Sequence, residues 1–397
     1  MKICIVGGGA SGLMAAINIK RDDNEVIILE HNEEVGKKIL VTGNGRCNLW
    51  NEEMNISKYN SSNKELMNRI ITDDLFTNTF NRLNNLFEFK VKNGYLYPYS
   101  NKAATVRDIL LDECNRLGVE IITNYTVTSI KKNDSFIIND DITCDKLIIS
   151  TGGKSMPVTG SNGSLYNILA DLGHEIIEPL PSLVPLYASE PYLNKWNGIR
   201  CDAKVTSIID GVPTRSEQGE IQLTDNGLSG ICIFNISSEI VKALNNNKNV
   251  SVEINFINID NPIEYLLNKY SDLTLNEVLL RFFDKKLIKI ILDKCDINPE
   301  AYMKSLTSKE LSRLEKYLTK FNINIIGYGD FPKSEVTQGG VSLTNVNPDT
   351  LESNIVKDLY LIGEVLDIDG LCGGYNLGFA WMSAYKVGVS IWLGLKI

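Results

Sequence analysis

The sequence predicts an α/β fold: one discontinuous domain assembled from both ends of the chain, carrying a β-rich, barrel-like insertion and then a helical one. Three observations predict it. A strand, a glycine turn, a helix and a second strand occupy the first thirty residues. Apolar strands ending in glycine return near Leu147 and near Leu359. Between them, from about Val184 to Phe321, the pattern changes to short strands and turns and then to helical periodicity. The expected boundaries are 1–183 with 330–397 for the α/β domain, 184–256 for the β-rich insertion and 257–329 for the helical one.

The elements follow in order. Lys2–Val6 is a short apolar strand, and Gly7-Gly8-Gly9-Ala10-Ser11-Gly12 turns into a helix carried by Leu13, Ala16 and Ile17 to about Lys20. Residues 25–30 form a second strand ending in a carboxylate. Residues 51–93 are polar, rich in Asn, and helical only in patches. Ala103–Leu117 reads as a helix, with strands expected at 120–123, 126–130, 135–139 and 146–150; Gly152-Gly153 breaks the last. Pro179, Pro181 and Pro185 mark a boundary. One helix is expected near 230–244 in the β-rich stretch. Residues 262–321 are helical, with Leu266, Leu279, Phe283, Ile290 and Leu314 as apolar positions. Residues 327–340 read as loop, 359–362 as a buried strand and 375–393 as a closing helix.

Composition narrows the function classes. Of 397 residues, 43% are hydrophobic and 22% charged, ordinary for a globular protein that buries its core without disulfides. Forty basic against 49 acidic residues give a net charge of −9, so a basic footprint for nucleic acid is not expected. Local basic clusters exist at Lys37, Lys38 and Arg46 and at Lys285, Lys286 and Lys289. Eight cysteines without a CxxC pair argue against zinc and a thioredoxin-like pair, and read as reduced thiols of a cytoplasmic protein. Met1-Lys2 runs straight into a strand, so no signal peptide is expected. Residues 379–395 are apolar but interrupted by Lys386, and read as a buried helix rather than a membrane span. Two histidines, His31 and His174, leave no material for a His triad or a multi-His metal centre. No metal is expected, and the chemistry should come from a bound cofactor.

Three motifs carry that cofactor. In Gly7-x-Gly9-x-x-Gly12, Gly7 makes the tight turn, Gly9 admits a pyrophosphate to the backbone and Gly12 lets helix and sheet pack closely; Ala10 and Ser11 open the helix whose N-terminus attracts the diphosphate. Glu30 suits a ribose 2′-hydroxyl and would repel a 2′-phosphate. This is a Rossmann-type signature in its proper context, and it leaves FAD and NAD both open. The second motif, residues 147–153 ending Thr151-Gly152-Gly153, resembles the strand-ending element of two-dinucleotide-fold flavoproteins and favours FAD. A P-loop is excluded because its first glycine would fall on Ile148. The third, Gly363-Glu364-x-x-Asp367 after the strand near Leu359, looks like the acidic turn that holds a ribityl chain. Gly373-Gly374-Tyr375-Asn376-Leu377 then opens the last helix, whose end favours negative charge on a flavin; a tight helix entry is the plain alternative.

The chain resembles the bacterial flavoproteins called aminoacetone oxidase-type, BaiN-type or YhiN-type NAD(P)/FAD-dependent oxidoreductases. The resemblance rests on Gly36-Lys37-Lys38, on Thr42-Gly43-Asn44-Gly45-Arg46-Cys47-Asn48, on Tyr97-Pro98, on Thr151-Gly152-Gly153-Lys154-Ser155, on Thr337-x-Gly339-Gly340-Val341 and on the run from Gly363 to Leu377. Three departures lie on the substrate side: Ile231 stands where the family usually has Pro, Asn226 where it often has another polar or an aromatic residue, and Gly378 where it often has Gln. The resemblance implies noncovalent FAD, a hydride moved to or from a small organic substrate at flavin N5, and NAD(P)H as a transient donor. The alternatives are an oxygen-using oxidase of a small amine, or, in another class, a flavin-dependent RNA-modifying or RNA-binding protein.

Single residues add detail. Lys37 lies in the matched Gly-Lys-Lys string. Arg46 suits the FAD diphosphate or a substrate carboxylate, or makes a structural ion pair. Cys47, Asn48 and Cys372 lie in cofactor-facing strings; small-residue packing outweighs a Cys47–Cys372 redox pair. His31 is expected near the adenosine, Val127 on a strand touching adenine through its backbone, and His174 at a helix end or in the core. Tyr95, Tyr97 and Tyr99 either line the flavin face or pack one face of a strand. The insertions are expected to cover the flavin, with the turn at 226–230 either reaching towards the ring or facing solvent as a plain helix cap, Ser229 capping the helix that follows.

Overall fold

The computed structural model describes residues 1–394, so Leu395, the last residue of the late apolar stretch, lies outside it. Chain contacts divide the protein into two compact units: Met1–Pro181 with the chain from Ser334 onward, and Ser182–Lys333.

The first unit is organised by a five-stranded parallel sheet in the order Leu359–Leu361, Lys146–Ile149, Lys2–Val6, Glu25–Leu29, Glu120–Ile122. Its central strands are nearly continuous apolar runs because a parallel sheet is covered on both faces; Ile3, Cys4, Ile5, Ile28, Leu147, Ile148 and Ile149 are all fully buried. The register places Val6 opposite both Leu29 and Ile149, and Ile149 opposite Leu361. The residues after these strands, Gly7, Glu30, Ser150 and Ile362, therefore gather at the carboxyl edge of the sheet, where parallel α/β sheets bind ligands. The helices Ala10–Ile19 and Tyr375–Gly394 pack on each other. Their close approach needs Gly388, where a Cβ would lie 2.6 Å from that of Asn18. Trp381, in the second helix, is fully buried and donates its indole N–H to the Leu49 carbonyl at 3.1 Å.

The second unit is a closed six-stranded antiparallel barrel: Leu186–Ala188, Gly227–Ser229, Val212–Thr224, Arg200–Ile209, Val250–Asn255, Phe321–Tyr328. The helices Ile231–Asn245, Pro262–Tyr270, Lys285–Cys295 and Ser308–Thr319 share its apolar core, which includes Trp196, Phe321, Leu266 and Leu314.

Several expectations are corrected. The β-rich stretch is only partly made of short strands: Arg200–Ile209 and Val212–Thr224 are long partners joined at Asp210-Gly211. Residues 327–340 lie outside strands only at 329–335: Phe321–Tyr328 closes the barrel and Val336–Val341 is a wholly buried strand paired with Ile176–Ser182. The strand expected at 126–130 starts only at Ile130. Ser229 does not cap the next helix; it is the last residue of a strand, and Gly230 occupies the cap with no side-chain hydrogen bond.

Candidate cofactor site

The glycine turn comes first. Gly7 has φ +103°, and a Cβ there would meet the Ser150 carbonyl oxygen at 2.6 Å. At Gly12 a Cβ would sit 2.0 Å from the Gly7 carbonyl oxygen and 2.7 Å from Ser150 Oγ. At Gly9, by contrast, a Cβ would meet nothing within 4 Å. The turn is thus closed on the sheet side and open at Gly9. The helix behind it, starting at Ala10, has neither a side-chain cap nor an acidic residue in its first turn, so its N–H groups face the opening without an internal anion.

Glu30 is buried and organises this turn. Its Oε2 accepts the Gly8 N–H at 2.8 Å, and its Oε1 accepts the Asn32 N–H at 2.9 Å and the Asn32 side-chain amide at 2.8 Å. His31 Nδ1 lies 3.3 Å from the same Oε1. The segment after Glu120–Ile122 folds over this corner: the Asn124 and Tyr125 N–H groups donate to the Asn32 and Glu30 carbonyls at 2.8 and 2.9 Å. Val127 follows them, buried but outside any strand, which corrects the strand expected there.

The other motifs belong to the same unit. Thr151-Gly152-Gly153 continues the central strand Lys146–Ile149, with Gly152 at φ +73°. Gly153 presses on Thr337, whose Oγ1 accepts the Lys154 and Ser155 N–H groups at 2.8 and 3.0 Å. Glu364 accepts the Thr337 N–H at 2.8 Å and pairs with Lys38 Nζ at 2.8 Å, tying the acidic turn to the helix Lys37–Val41. Lys37 itself points elsewhere, to Glu33 at 3.6 Å. Gly363 packs on Ser11: its Cβ would lie 2.7 Å from Ser11 Oγ. Asp367 is fully buried and its Oδ2 accepts Ser61 Oγ at 3.1 Å and the Ser62 N–H at 2.9 Å. Asn376 closes the 370–376 loop by accepting the Gly370 N–H and donating to the Gly370 carbonyl, both at 2.8 Å. Gly373 and Gly374 have φ +129° and +92° and stand against Tyr95 and the Asn48 side chain.

Among the described residues, three of the buried polar atoms that lack a partner lie beside glycines of these motifs: Asn48 Oδ1 beside Gly374, Ser161 Oγ beside Gly152, and the Tyr166 hydroxyl beside Gly340. Burial, reinforced by Glu364 and Asp367, drives the Tyr166 phenol far above its usual range. Tyr166 and Asn32 were not among the residues the motifs point to; no spacing rule reaches them, because they meet the site only through the packing of separate elements. The cysteines are packing residues. Cys47 is buried at φ +58° and burial pushes its thiol up to about 12; Cys372 is pushed up to about 11. Neither forms a disulfide. His174 is a core residue held by the Leu169 carbonyl at 3.1 Å and Ser353 Oγ at 2.8 Å. Among the described residues, no group of three or more His, Cys, Asp or Glu gathers as metal ligands, and no helix is long and apolar enough to cross a membrane.

A cofactor with a diphosphate and a ribose fits these residues. The turn is open only where a phosphate would approach, the carboxylate sits at the end of the second strand, and unpartnered polar atoms lie beside the later glycines. A "3-dehydro-bile acid delta(4,6)-reductase" of Clostridium scindens is 36% identical over 98% of both chains. A "ribosomal RNA dihydrouridine synthase" of Haemophilus influenzae is 29% identical over 98% of this chain and 97% of the other. In fold, a 3-ketosteroid delta1-dehydrogenase from Sterolibacterium denitrificans superposes with a TM-score of 0.50, 10% identity and 99% coverage of each chain. The model of the HI0933-like protein Rossmann domain matches residues 1–390, and the chain belongs to that family.

Proposed function

We propose that this FAD-dependent oxidoreductase passes a hydride from NAD(P)H to a conjugated C=C bond of a small organic acceptor. The observation that carries the cofactor half is the glycine turn, open at Gly9 under an uncapped helix N-terminus and braced by the Glu30 carboxylate. The acceptor half is supported by the full-length likeness to the bile acid reductase.

The residues divide the work. Gly9 and the first-turn N–H groups of Ala10 and Ser11 hold the diphosphate. Glu30, with His31 beside it, takes the ribose, and the backbone near Val127 takes the adenine. Thr151, Gly152 and Gly153 meet the diphosphate a second time. Gly363 and Glu364 hold the ribityl chain, while Lys38 keeps Glu364 in place. Gly373, Gly374 and the first turn at Tyr375, Asn376 and Leu377 face the ring with backbone N–H groups, and Cys47 and Asn48 pack beside them. Asp367 acts by fixing the Ser61–Ser62 backbone. When bound, FAD supplies the two-electron chemistry at its ring. We assign the protein to the cytoplasm, where free thiols persist.

The test is anaerobic. NADH or NADPH should bleach the yellow protein, and a conjugated enone added without oxygen should restore the colour. Bleaching by neither nucleotide, or by a small amine instead, would sink the donor assignment. A second reading, an RNA base as acceptor, is favoured by the relatives named ribosomal RNA dihydrouridine synthase and by the exposed Lys285, Lys286 and Lys289 on one helix. Retention of RNA that high salt removes would select it.

A further inference from the structure

We propose that Tyr97 and Arg46 form an oxyanion-binding pair that receives the carbonyl oxygen of a conjugated acceptor. The proposal rests on the reductase reading above and names the chemistry its acceptor must carry.

The strand Tyr95–Pro98 alternates: Leu96 and Pro98 are buried, while Tyr95 and Tyr97 stand half-buried on the opposite face. Pairing of Trp50 with Leu96, and the Leu49 N–H donated to the Leu96 carbonyl at 2.8 Å, fix this strand beside the 42–48 loop. The two phenol rings then lie against glycines from two different motifs. Tyr97 Cε1 is 3.9 Å from where a Cβ on Gly43 would be, and Tyr95 Cε1 is 2.8 Å from where one on Gly373 would be. The Asn51 amide, from the paired strand, donates to the Gly373 carbonyl at 2.9 Å and keeps that loop against Tyr95. Neither phenol has a hydrogen-bond partner among the described residues, and both hydroxyls keep contact with solvent.

Arg46 belongs to the same loop as Gly43, and its backbone N–H donates to the Gly43 carbonyl at 3.2 Å. Its side chain is exposed and makes no ion pair or hydrogen bond among the described residues. Its charge acts on Tyr97, drawing the phenol down against the upward push of burial. The other titratable group acting on Tyr97 is Cys372; Glu53 acts on Tyr95. The loop is held in one shape by left-handed residues at Gly43, Asn44, Gly45 and Cys47 and by the Cys47 N–H on the Thr42 carbonyl at 3.0 Å. The exposed guanidinium of Arg46 and the half-buried phenol of Tyr97 are thus two hydrogen-bond donors carried by a preset loop and the strand packed on it.

The chemistry asks for such a pair. When a hydride from NAD(P)H forms a C–H bond at the β-carbon, the C=C electron pair moves through the conjugation onto the carbonyl oxygen as an enolate. Donors placed before the reaction stabilise that charge without reorganising, and a charged donor does so more strongly than a neutral one. A proton from water then completes the α-carbon. The balance is acceptor, NAD(P)H and H⁺ on one side, and saturated product and NAD(P)⁺ on the other.

The test uses the flavin-loaded protein and a series of para-substituted phenols, whose anions are planar mimics of an enolate. Binding is read from the change in flavin absorption. The wild type should bind the ionised phenols, more tightly as their charge becomes more localised. Tyr97→Phe and Arg46→Gln should each weaken binding roughly tenfold to a hundredfold, as loss of a hydrogen bond to a charged group does. Arg46→Lys should recover part of the loss, and all three variants should keep their full FAD content. Equal phenolate affinity in wild type and Tyr97→Phe overturns the proposal, as does a wild type whose spectrum no phenolate perturbs. Loss of FAD from Arg46→Gln also overturns it and assigns Arg46 to the cofactor. A wild type purified without FAD refutes instead the reading on which the proposal rests.

Discussion

Glu30 bears on both the cofactor and the fold. Its carboxylate accepts the Gly8 N–H and two Asn32 donors, so the group expected to receive a ribose also braces the turn that receives the diphosphate. Glu30→Ala should lower FAD affinity by roughly tenfold to a hundredfold, for a lost charge-assisted bond worth ~1.5–3 kcal/mol. It should also cost stability of about 1–3 kcal/mol, because the Gly8 N–H is left without its acceptor. Titration of the apoprotein with FAD and a denaturant melt read the two effects separately; unchanged affinity would reject the ribose role. His174 makes a pH prediction. Burial lowers its pKa below the ordinary 6.5, and its Nδ1 must donate to the Leu169 carbonyl, so Nε2 accepts from Ser353 Oγ. The unfolded chain binds the proton more readily than the folded one, so His174 favours the fold above about pH 6.5 and loses that contribution as pH falls through the folded pKa. His174→Gln should flatten the acid side of the stability profile, measured by melts between pH 5 and about 8.

Elements differ in why they need glycine. Gly12→Ala places a methyl 2.0 Å from a backbone oxygen on one side and 2.7 Å from Ser150 Oγ on the other, where the central sheet cannot yield. It should cost more than ~3 kcal/mol and abolish FAD retention. Gly211→Ala, in the two-residue hairpin between Arg200–Ile209 and Val212–Thr224, meets nothing within 4 Å and suffers only from φ +81°. It should cost ~1–2 kcal/mol and leave FAD retention unchanged. Comparable losses at the two positions in a urea titration would contradict this reading. Asp210-Gly211 is a two-residue turn signal that the expectation of short strands passed over. The barrel strand Phe321–Tyr328 was missed, although buried and exposed residues alternate from Phe321 to Ile326, because it lies across the junction where helix and then loop were expected. Val336–Val341 was not legible: Gly339 and Gly340, at φ +82° and +122°, look like loop until burial and pairing with Ile176–Ser182 account for them.

At the scale of the whole molecule, the thiols and the histidine that lie in the cofactor motifs are poorly disposed to bond a flavin. Cys47 and Cys372 are kept un-ionised at neutral pH by burial, and His31 is engaged at Glu30. Acid precipitation of the holoprotein should therefore release all of the yellow colour into the supernatant, as FAD. Colour left in the pellet would refute noncovalent binding, and FMN in the supernatant would refute the cofactor's identity. The net charge of −9 makes non-specific retention of nucleic acid unfavourable, so any RNA that survives purification would report a local site.

By itself the sequence determined the class of fold and the class of cofactor. The strand–turn–helix–strand unit at 2–30, the central strand before Gly152-Gly153 and the late strand before Gly363 are local patterns, and local sterics suffice to define them. Tertiary structure decided which residues meet. Only the sheet order brings the strand ends at Gly7, Glu30, Ser150 and Ile362 to one edge, because parallel pairing joins segments far apart in the chain. Only packing turns Lys38 towards Glu364 and Lys37 away, fixes Asp367 to the Ser61–Ser62 backbone, and gathers Asn32 and Tyr166 into the site. Chain-local spacing carries the dihedral preferences and the periodicity of burial. Contacts between distant segments depend on the free energy of the whole core, which no single segment contains.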